Sequence, residues 1–418
     1  MDERSGLPDV YWIVTTQWRG QSVSWAPDPN VRMPNLSRLA ARGVVVEQAV
    51  SNHPFGPFAR TAMLTGRPSD AVGVVDYFDS LPVGVPTVAQ AFSSADYETA
   101  WFGKWHLYQG LREEPPVGEA QARVVVPVDC RGGFGWWEGF ESGFLNINPW
   151  LHGSGIGEPR RFAGYQADVL VDRMLRFLER RQSGNPLFAV LSMEPPHPPY
   201  DHLPPDSAPL SPDEIVLRAN VPPGGFIEEQ ARRELSGYYA QIEATDRALG
   251  RLIEQIERRS RPYLLVITSV HGDMHGSQGV FRKGWPWEES IRVPLLFVAP
   301  GRLEPACRKE GVFGLMDLAA TTMGLAGIEG SRLIGGSDLS PWIRGHAEGP
   351  EAVAISMPSV PPFPPNCPRS WRGVRTRTEL AAWDEDGSPW MACDLEEDPL
   401  QLGPKLDLKL FSKIKNGA

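Results

Sequence analysis

Short apolar runs rich in β-branched residues recur along the chain at 10–15, 44–50, 187–193, 263–268 and 293–299 and predict strands. Between them the apolar spacing changes to the helical period, at 36–41, at 169–181 and over a long stretch from 228 to 258. In that last stretch Leu235, Tyr239, Ile242, Leu249, Leu252 and Ile256 recur at helical spacing. Strands alternating with helices predict an α/β fold, a mostly parallel central sheet flanked by helices on both faces. Ligands of such sheets sit beyond the C-terminal strand ends. Thr15-Thr16-Gln17 and Val270-His271 both follow predicted strands directly, so they fall where a site is expected.

Two stretches break the alternation. Residues 115–159 are rich in Gly, Pro and Trp, including Gly132-Gly133-Phe134-Gly135-Trp136-Trp137, and residues 195–225 are dense in proline. Both read as long loops over the sheet, of the kind that serve as lids or specificity elements. From about residue 335 the pattern shifts to short strand-like pieces at 352–356, 373–377, 380–383 and 390–393. The expected organisation is an α/β domain over 1–334 and a small antiparallel α+β subdomain over 335–418.

At 418 residues the chain is long enough to bury a large core. A net charge of −10 and a pI near 5.4 argue against a global attraction to nucleic acid or to an anionic membrane surface. No apolar run approaches the roughly 20 residues that span a bilayer. The polar start, Met1-Asp2-Glu3-Arg4-Ser5-Gly6, has no secretory pattern, which leads to the expectation of a cytoplasmic protein. Cys130, Cys307, Cys367 and Cys393 lack paired metal-ligand spacing and read as unpaired thiols. The 14 tryptophans, several in the two long loops, hint at an apolar or aromatic substrate body. Substrate identity and oligomeric state are not written in these patterns.

Five ordered blocks carry a more specific signal. They are Pro8-Asp9-Val10-Tyr11-Trp12-Ile13-Val14-Thr15-Thr16-Gln17-Trp18-Arg19, Met33-Pro34-Asn35-Leu36-Ser37-Arg38-Leu39-Ala40-Ala41-Arg42-Gly43, Tyr97-Glu98-Thr99-Ala100-Trp101-Phe102-Gly103-Lys104-Trp105-His106-Leu107, Pro195-Pro196-His197-Pro198-Pro199-Tyr200 and Thr268-Ser269-Val270-His271-Gly272-Asp273-Met274, beside the segment from Asn52-His53-Pro54-Phe55-Gly56 through Arg60 to Leu64-Thr65-Gly66. Asp394-Leu395-Glu396-Glu397-Asp398-Pro399 adds a turn near the end. Together they resemble the sulfatase family of the alkaline phosphatase superfamily, in particular its arylsulfatase and phosphonate monoester hydrolase branch. The resemblance implies an alkaline-phosphatase-like fold and a site built around a formylglycine nucleophile and a Ca²⁺-type cation.

At three positions this chain departs from that pattern. Gly56 stands where the family carries the Cys or Ser that becomes formylglycine, and Thr16 and Val270 stand where it carries metal-binding Asp residues. A glycine has no side chain to oxidise or hydrate. A hard divalent cation needs several oxygen donors, preferably anionic, and Gln17 with His271 is too poor a set. The expectation is therefore no metal and no cofactor, the three losses forming one change. His271, Asp273 and His275 also form His-x-Asp-x-His, a spacing that transition-metal sites use, although the string belongs to the family loop.

The positive half of the site is retained at matching positions. Arg60, Lys104, His106, His197 and Lys283 correspond to family residues that surround the sulfate and assist the leaving group. Without a cation they form a net positive pocket for sulfate, phosphate or carboxylate, with crowding that depresses lysine and histidine pKa values and leaves a histidine near neutrality for proton transfer. The expected assignment is catalytic roles for His106, His197, Lys104 and Lys283, and substrate contacts from Arg60, Gln17, His271, Thr16 and Gly56. Thr15 or Thr16 as a substitute nucleophile lacks an adjacent base. Three readings follow: a metal-independent enzyme acting on an anionic small molecule, a binding-only descendant, or a conventional metal-dependent sulfuric or phosphoric ester hydrolase.

Overall fold

β1 (Asp9–Thr15) lies inside a ten-stranded sheet and is buried along its whole length. The computed structural model describes residues 6–328, 333–362, 365–403 and 406–417. In chain order the other strands of this sheet are β2 (Val44–Val50), β3 (Glu98–Lys104), β4 (Trp136–Phe140), β5 (Trp150–Gly153), β6 (Gly157–Arg161), β7 (Leu187–Ser192), β8 (Tyr263–Ser269), β9 (Leu295–Val298) and β10 (Cys307–Gly314). Their spatial order is β10-β2-β9-β8-β1-β7-β3-β4-β5-β6. The central run β8-β1-β7-β3-β4 is parallel throughout, while β9 and β5 run against their neighbours.

Alternation along β1 explains the two layers of core. Val10, Trp12 and Val14 pack into one apolar cluster, whereas Tyr11 and Ile13 pack into the other. A strand with period two and apolar residues on both faces has to be covered on both sides. The helix Gln166–Arg180 and the 34-residue helix Gly225–Arg258 supply part of one layer, and the helix Gly56–Thr65 belongs to the other.

The stretch 115–159, expected to be loop, contains β4, β5 and the start of β6 and widens the sheet. Its strand signal is hidden by a buried carboxylate. Glu138 on β4 accepts from Arg173 Nε at 2.6 Å and Nη2 at 2.9 Å, so a charge sits where an apolar residue normally marks a strand. β4 also approaches β3 closely. A side chain at Gly139 would collide with the Gly103 carbonyl oxygen, which explains a glycine in mid-strand. β3 was foreseen only as a motif, and the charged edge strand β10 not at all. The stretch 195–225 is irregular as expected, with a single 3₁₀ turn at Pro212–Glu214.

A second, antiparallel sheet of β11 (Ala352–Met357), β12 (Trp371–Thr376), β13 (Glu379–Trp383) and β14 (Pro389–Asp394) forms the C-terminal part, with the helix Leu408–Gly417 packed on it. It is fixed to the main sheet's periphery by Arg375, which donates to Glu288 at 2.8 and 3.2 Å, and by Trp371 Nε1, which donates to Gly284 O at 2.7 Å. All four cysteines are free thiols. Among the described residues no helix is long and apolar enough to cross a membrane.

Candidate active site

The C-terminal ends of β1, β3, β7 and β8 and the start of the helix after β2 converge on one buried chamber filled by polar side chains that lie close enough to shift one another's pKa. That helix, Gly56–Thr65, begins after extended Phe55, carries Pro57 in its first turn and is buried at every position. Gly56 faces the chamber. A Cβ built on it would lie 2.9 Å from His106 Nδ1 and 3.4 Å from Arg60 Nη1, so His106 holds the space that a side chain at position 56 needs.

One turn along the same helix, Arg60 points back across the strand ends. Its Nη2 donates to Thr16 Oγ1 at 3.2 Å and Ser192 Oγ at 3.4 Å. Thr16 Oγ1 in turn donates to Met193 O at 2.9 Å. Burial lowers the Arg60 pKa to about 10, against the pull of Glu194 and Glu141. Thr16 Oγ1 is thus engaged on both sides, and neither partner is a base that could take its proton.

Lys104 ends β3 with its ammonium 2.9 Å from Glu194 Oε1, and both side chains are closed to water. Glu194 also accepts from Phe144 N at 3.0 Å and from Gln166 Nε2 at 2.8 Å. Desolvation pushes Lys104 down to about 8, with Glu194 opposing and Arg60 assisting. The expected pocket of unpaired cations is therefore corrected: Lys104 is matched by a carboxylate. Glu194 stands directly before Pro195-Pro196-His197, at the end of a predicted strand, and that position was the sequence signal for it.

Lys283 and His197 form the second centre. His197 Nδ1 donates to Pro198 O at 2.7 Å, which leaves Nε2 to accept from Lys283 Nζ at 3.1 Å. Lys283 Nζ also donates to Gln17 Oε1, and Gln17 Nε2 donates to Asp273 Oδ2. Asp273 is held by Tyr200 OH at 2.6 Å and by the backbone N–H groups of His275 and Arg282 at 3.1 and 2.9 Å. Its pKa lies below the usual carboxylate range because these donors and nearby His275 and Arg282 outweigh its burial. The Lys283 backbone is pinned from the C-terminal part, since Cys367 N donates to Lys283 O at 3.1 Å.

The histidines differ from the expectation of a group titrating near neutrality. His106, His197 and His271 are all pushed well below 6.5, by burial first and by neighbouring lysines next. The groups brought near neutrality are Lys104 and the buried Glu141, whose carboxyl is raised by burial to about 8. His271 Nδ1 donates to Gly272 O at 2.9 Å. Among the described residues, its Nε2, both ring nitrogens of His106 and Nε of Arg60 have no hydrogen-bond partner. Orphaned polar atoms clustered in one chamber mark a place for water or for a polar ligand.

The donors present do not fit a divalent cation. Val270 is apolar and fully buried, Thr16 spends its proton on Met193 O, and Gln17 Oε1 is taken by Lys283. Arg60 places a guanidinium beside Thr16, where a cation would be repelled. In the His-x-Asp-x-His string, His275 Nε2 lies 4.0 Å from Asp273 Oδ2, and Asp273 is saturated by other donors. Among the described residues no group of three or more His, Cys, Asp or Glu side chains is placed to hold a metal ion.

Outside the chamber lies a cavity of about 350 Å³ whose walls include Phe144, Leu145, Pro198 and Pro199, with His197 and Lys283 among its polar groups. Arg60, Lys104, His106 and His271 do not line it. All nine residues singled out from sequence are buried, and of these nine only His197 and Lys283 line the cavity.

Comparison with known proteins gives the family and the fold. The family described as "Sulfatase" matches residues 8–328, and "N-sulphoglucosamine sulphohydrolase, C-terminal" matches residues 276–416. The chain is similar to an ulvan-active sulfatase of Formosa agariphila, 32% identical over 98% of this chain and 79% of that protein. It is also similar to a choline-sulfatase of Rhizobium meliloti, 27% identical over 95% of this chain and 82% of the other. The crystal structure of yidJ from Bacteroides fragilis superposes with a TM-score of 0.85 at 21% identity, over 100% of this chain and 96% of that one. Phosphonate monoester hydrolase of Agrobacterium radiobacter superposes with a TM-score of 0.74 at 19% identity, over 98% and 94%. The chain belongs to the sulfatase family.

Proposed function

We propose that this protein is a divergent sulfatase-family hydrolase that acts on an anionic ester without formylglycine and without a divalent cation. One observation carries the reading: the space of the family's nucleophile side chain is held by the His106 ring, 2.9 Å from the point where a Cβ on residue 56 would lie. The relatives include sulfatases and the structural neighbours a phosphonate monoester hydrolase, so the substrate class is a sulfate, phosphate or phosphonate ester.

The residues take the following parts. The body of the substrate rests in the apolar cavity, and its anionic group is directed inward to Lys283, Lys104 and Arg60. Lys283 supplies charge and a proton to the leaving oxygen, and the His197 Nε2 lone pair holds its ammonium in place. His106, with both ring nitrogens free of protein partners, holds the attacking water beside the anion. Gln17 fixes Lys283 through Asp273 rather than binding a metal.

The test is turnover of aryl sulfates and of phosphate and phosphonate monoesters by purified protein, with and without chelator. Turnover is expected to survive chelation, and Lys283→Ala and His197→Ala each to lower kcat by about 10²–10⁴. Turnover abolished by chelator and restored by Ca²⁺ overturns the reading. The Lys104–Glu194 pairing favours a second reading, binding without catalysis, because it removes one free cation from the chamber. Saturable sulfate binding with no turnover across the panel selects it.

A further inference from the structure

Phe144 stands between the cavity and the chamber. Its ring stacks on His197, with centroids 4.4 Å apart and an interplanar angle of 7°. Lys104 Nζ lies 4.1 Å from the centroid of the same ring and Lys283 Nζ 6.0 Å. The face of an aromatic ring carries partial negative charge, so Phe144 offers the cations a weak substitute for an anion. Phe144 lines the cavity, while Lys104 is 1% exposed and does not.

The backbone adds an independent observation. Phe144 has φ +57, a left-handed conformation that a bulky side chain seldom adopts. It is held there by its own N–H, which donates to Glu194 Oε1, the carboxylate oxygen that pairs with Lys104. Strain of this kind persists where the surroundings fix it, and it is concentrated at ligand clamps and switches. Near Lys104 and Lys283, among the described residues, both ring nitrogens of His106 and Nε2 of His271 are buried polar atoms without a hydrogen-bond partner.

We propose that Phe144 is the gate of the site: its ring occupies the approach to Lys104, and the anionic group of a ligand must displace it to enter from the apolar cavity. The inference rests on the anion-pocket reading above for the identity of the guest, but the gate is a statement about access alone. A ligand is admitted if its anion interacts with Lys104 and Lys283 more strongly than the ring does and its body fills the cavity that the ring leaves. Small hydrated anions without an apolar body gain only the first of these.

Acylation of lysines by acetic anhydride, read by peptide mass spectrometry, separates access from binding. In the native protein Lys104 is expected to stay unlabelled. In Phe144→Ala its labelling rate should rise about tenfold or more, the scale of a lost partly buried cation–π contact. Phe144→Tyr, which keeps the ring, should restore protection. If Phe144→Ala does not fold, Phe144→Gly removes the bulk and suits the left-handed backbone at this position, and it is expected to label faster than Phe144→Tyr. Lys104 that remains protected in a folded Phe144→Ala or Phe144→Gly protein overturns the gate. Inorganic sulfate binding by calorimetry reports separately on the guest, with about tenfold tighter binding expected in Phe144→Ala. Labelled Lys104 without sulfate binding in either protein keeps the gate and removes the anion reading. Equal sulfate binding with Lys104 protected in both removes the gate alone.

Discussion

Lys104 Nζ and Glu194 Oε1 meet at 2.9 Å, 90 residues apart in sequence and shielded from water on every side. Neither side chain tolerates loss of the other, because a lone charge in that position is neither hydrated nor neutralised. Glu194→Ala is expected to destabilise the fold by about 3–5 kcal/mol in urea unfolding. Removing both charges, as in Lys104→Met with Glu194→Leu, should cost less than the sum of the two single changes. Additive costs would show that the pair is not coupled.

Gly56→Ala pushes a methyl group to 2.9 Å from His106 Nδ1. A cost of about 1–3 kcal/mol is expected from thermal denaturation, the range for overpacking a closed interior. His106→Ala in the same chain should recover much of that loss by opening the space. A double variant no more stable than Gly56→Ala would show that the strain arises elsewhere.

Stability should fall on mild acidification. His53, His106, His152, His197, His271 and His275 all have folded pKa values below 6.5, chiefly through burial. Between each folded value and 6.5 the unfolded chain holds a proton that the folded chain lacks, so the unfolding free energy decreases as pH falls through that window. Glu141 acts in the opposite sense: its folded value near 8 exceeds 4.5, so stability is lost as pH rises from 4.5 to about 8. Asp246 and Asp317 are raised by burial as well, so six histidines stand against three carboxyls and give a net loss from pH 6.5 to 4.5, measurable by urea titration; a flat or rising profile there would contradict the assignment. His271→Asn should reduce the slope.

Arg375→Ala tests how the C-terminal sheet is fixed. Its bidentate pair with Glu288 is buried on both sides. Removing the guanidinium leaves Glu288 unpaired and should cost about 3–5 kcal/mol by urea unfolding. Limited proteolysis should then release fragments cut between the two sheets. An unchanged urea midpoint would show that the other contacts, among them Trp371 with Gly284 and Cys367 with Lys283, carry the attachment without the ion pair.

The sequence by itself determined much of the parallel sheet, because β1, β7 and β8 are largely apolar runs and β2 is one interrupted only at Glu47 and Gln48, so the signal is local. It also singled out Gly56, Thr16 and Val270 as candidates, since each is read against its immediate neighbours in a motif. What it left open had non-local causes. β4 was hidden because Glu138 is tolerable in a buried strand only once Arg173, from a distant helix, is packed against it. The charge of the pocket was decided by Glu194 meeting Lys104, and the barrier to it by Phe144, brought from the 115–159 stretch to the ring of His197. The depth of the histidine pKa shifts was likewise a tertiary result, because desolvation depends on what closes over a side chain and not on which residues adjoin it in the chain.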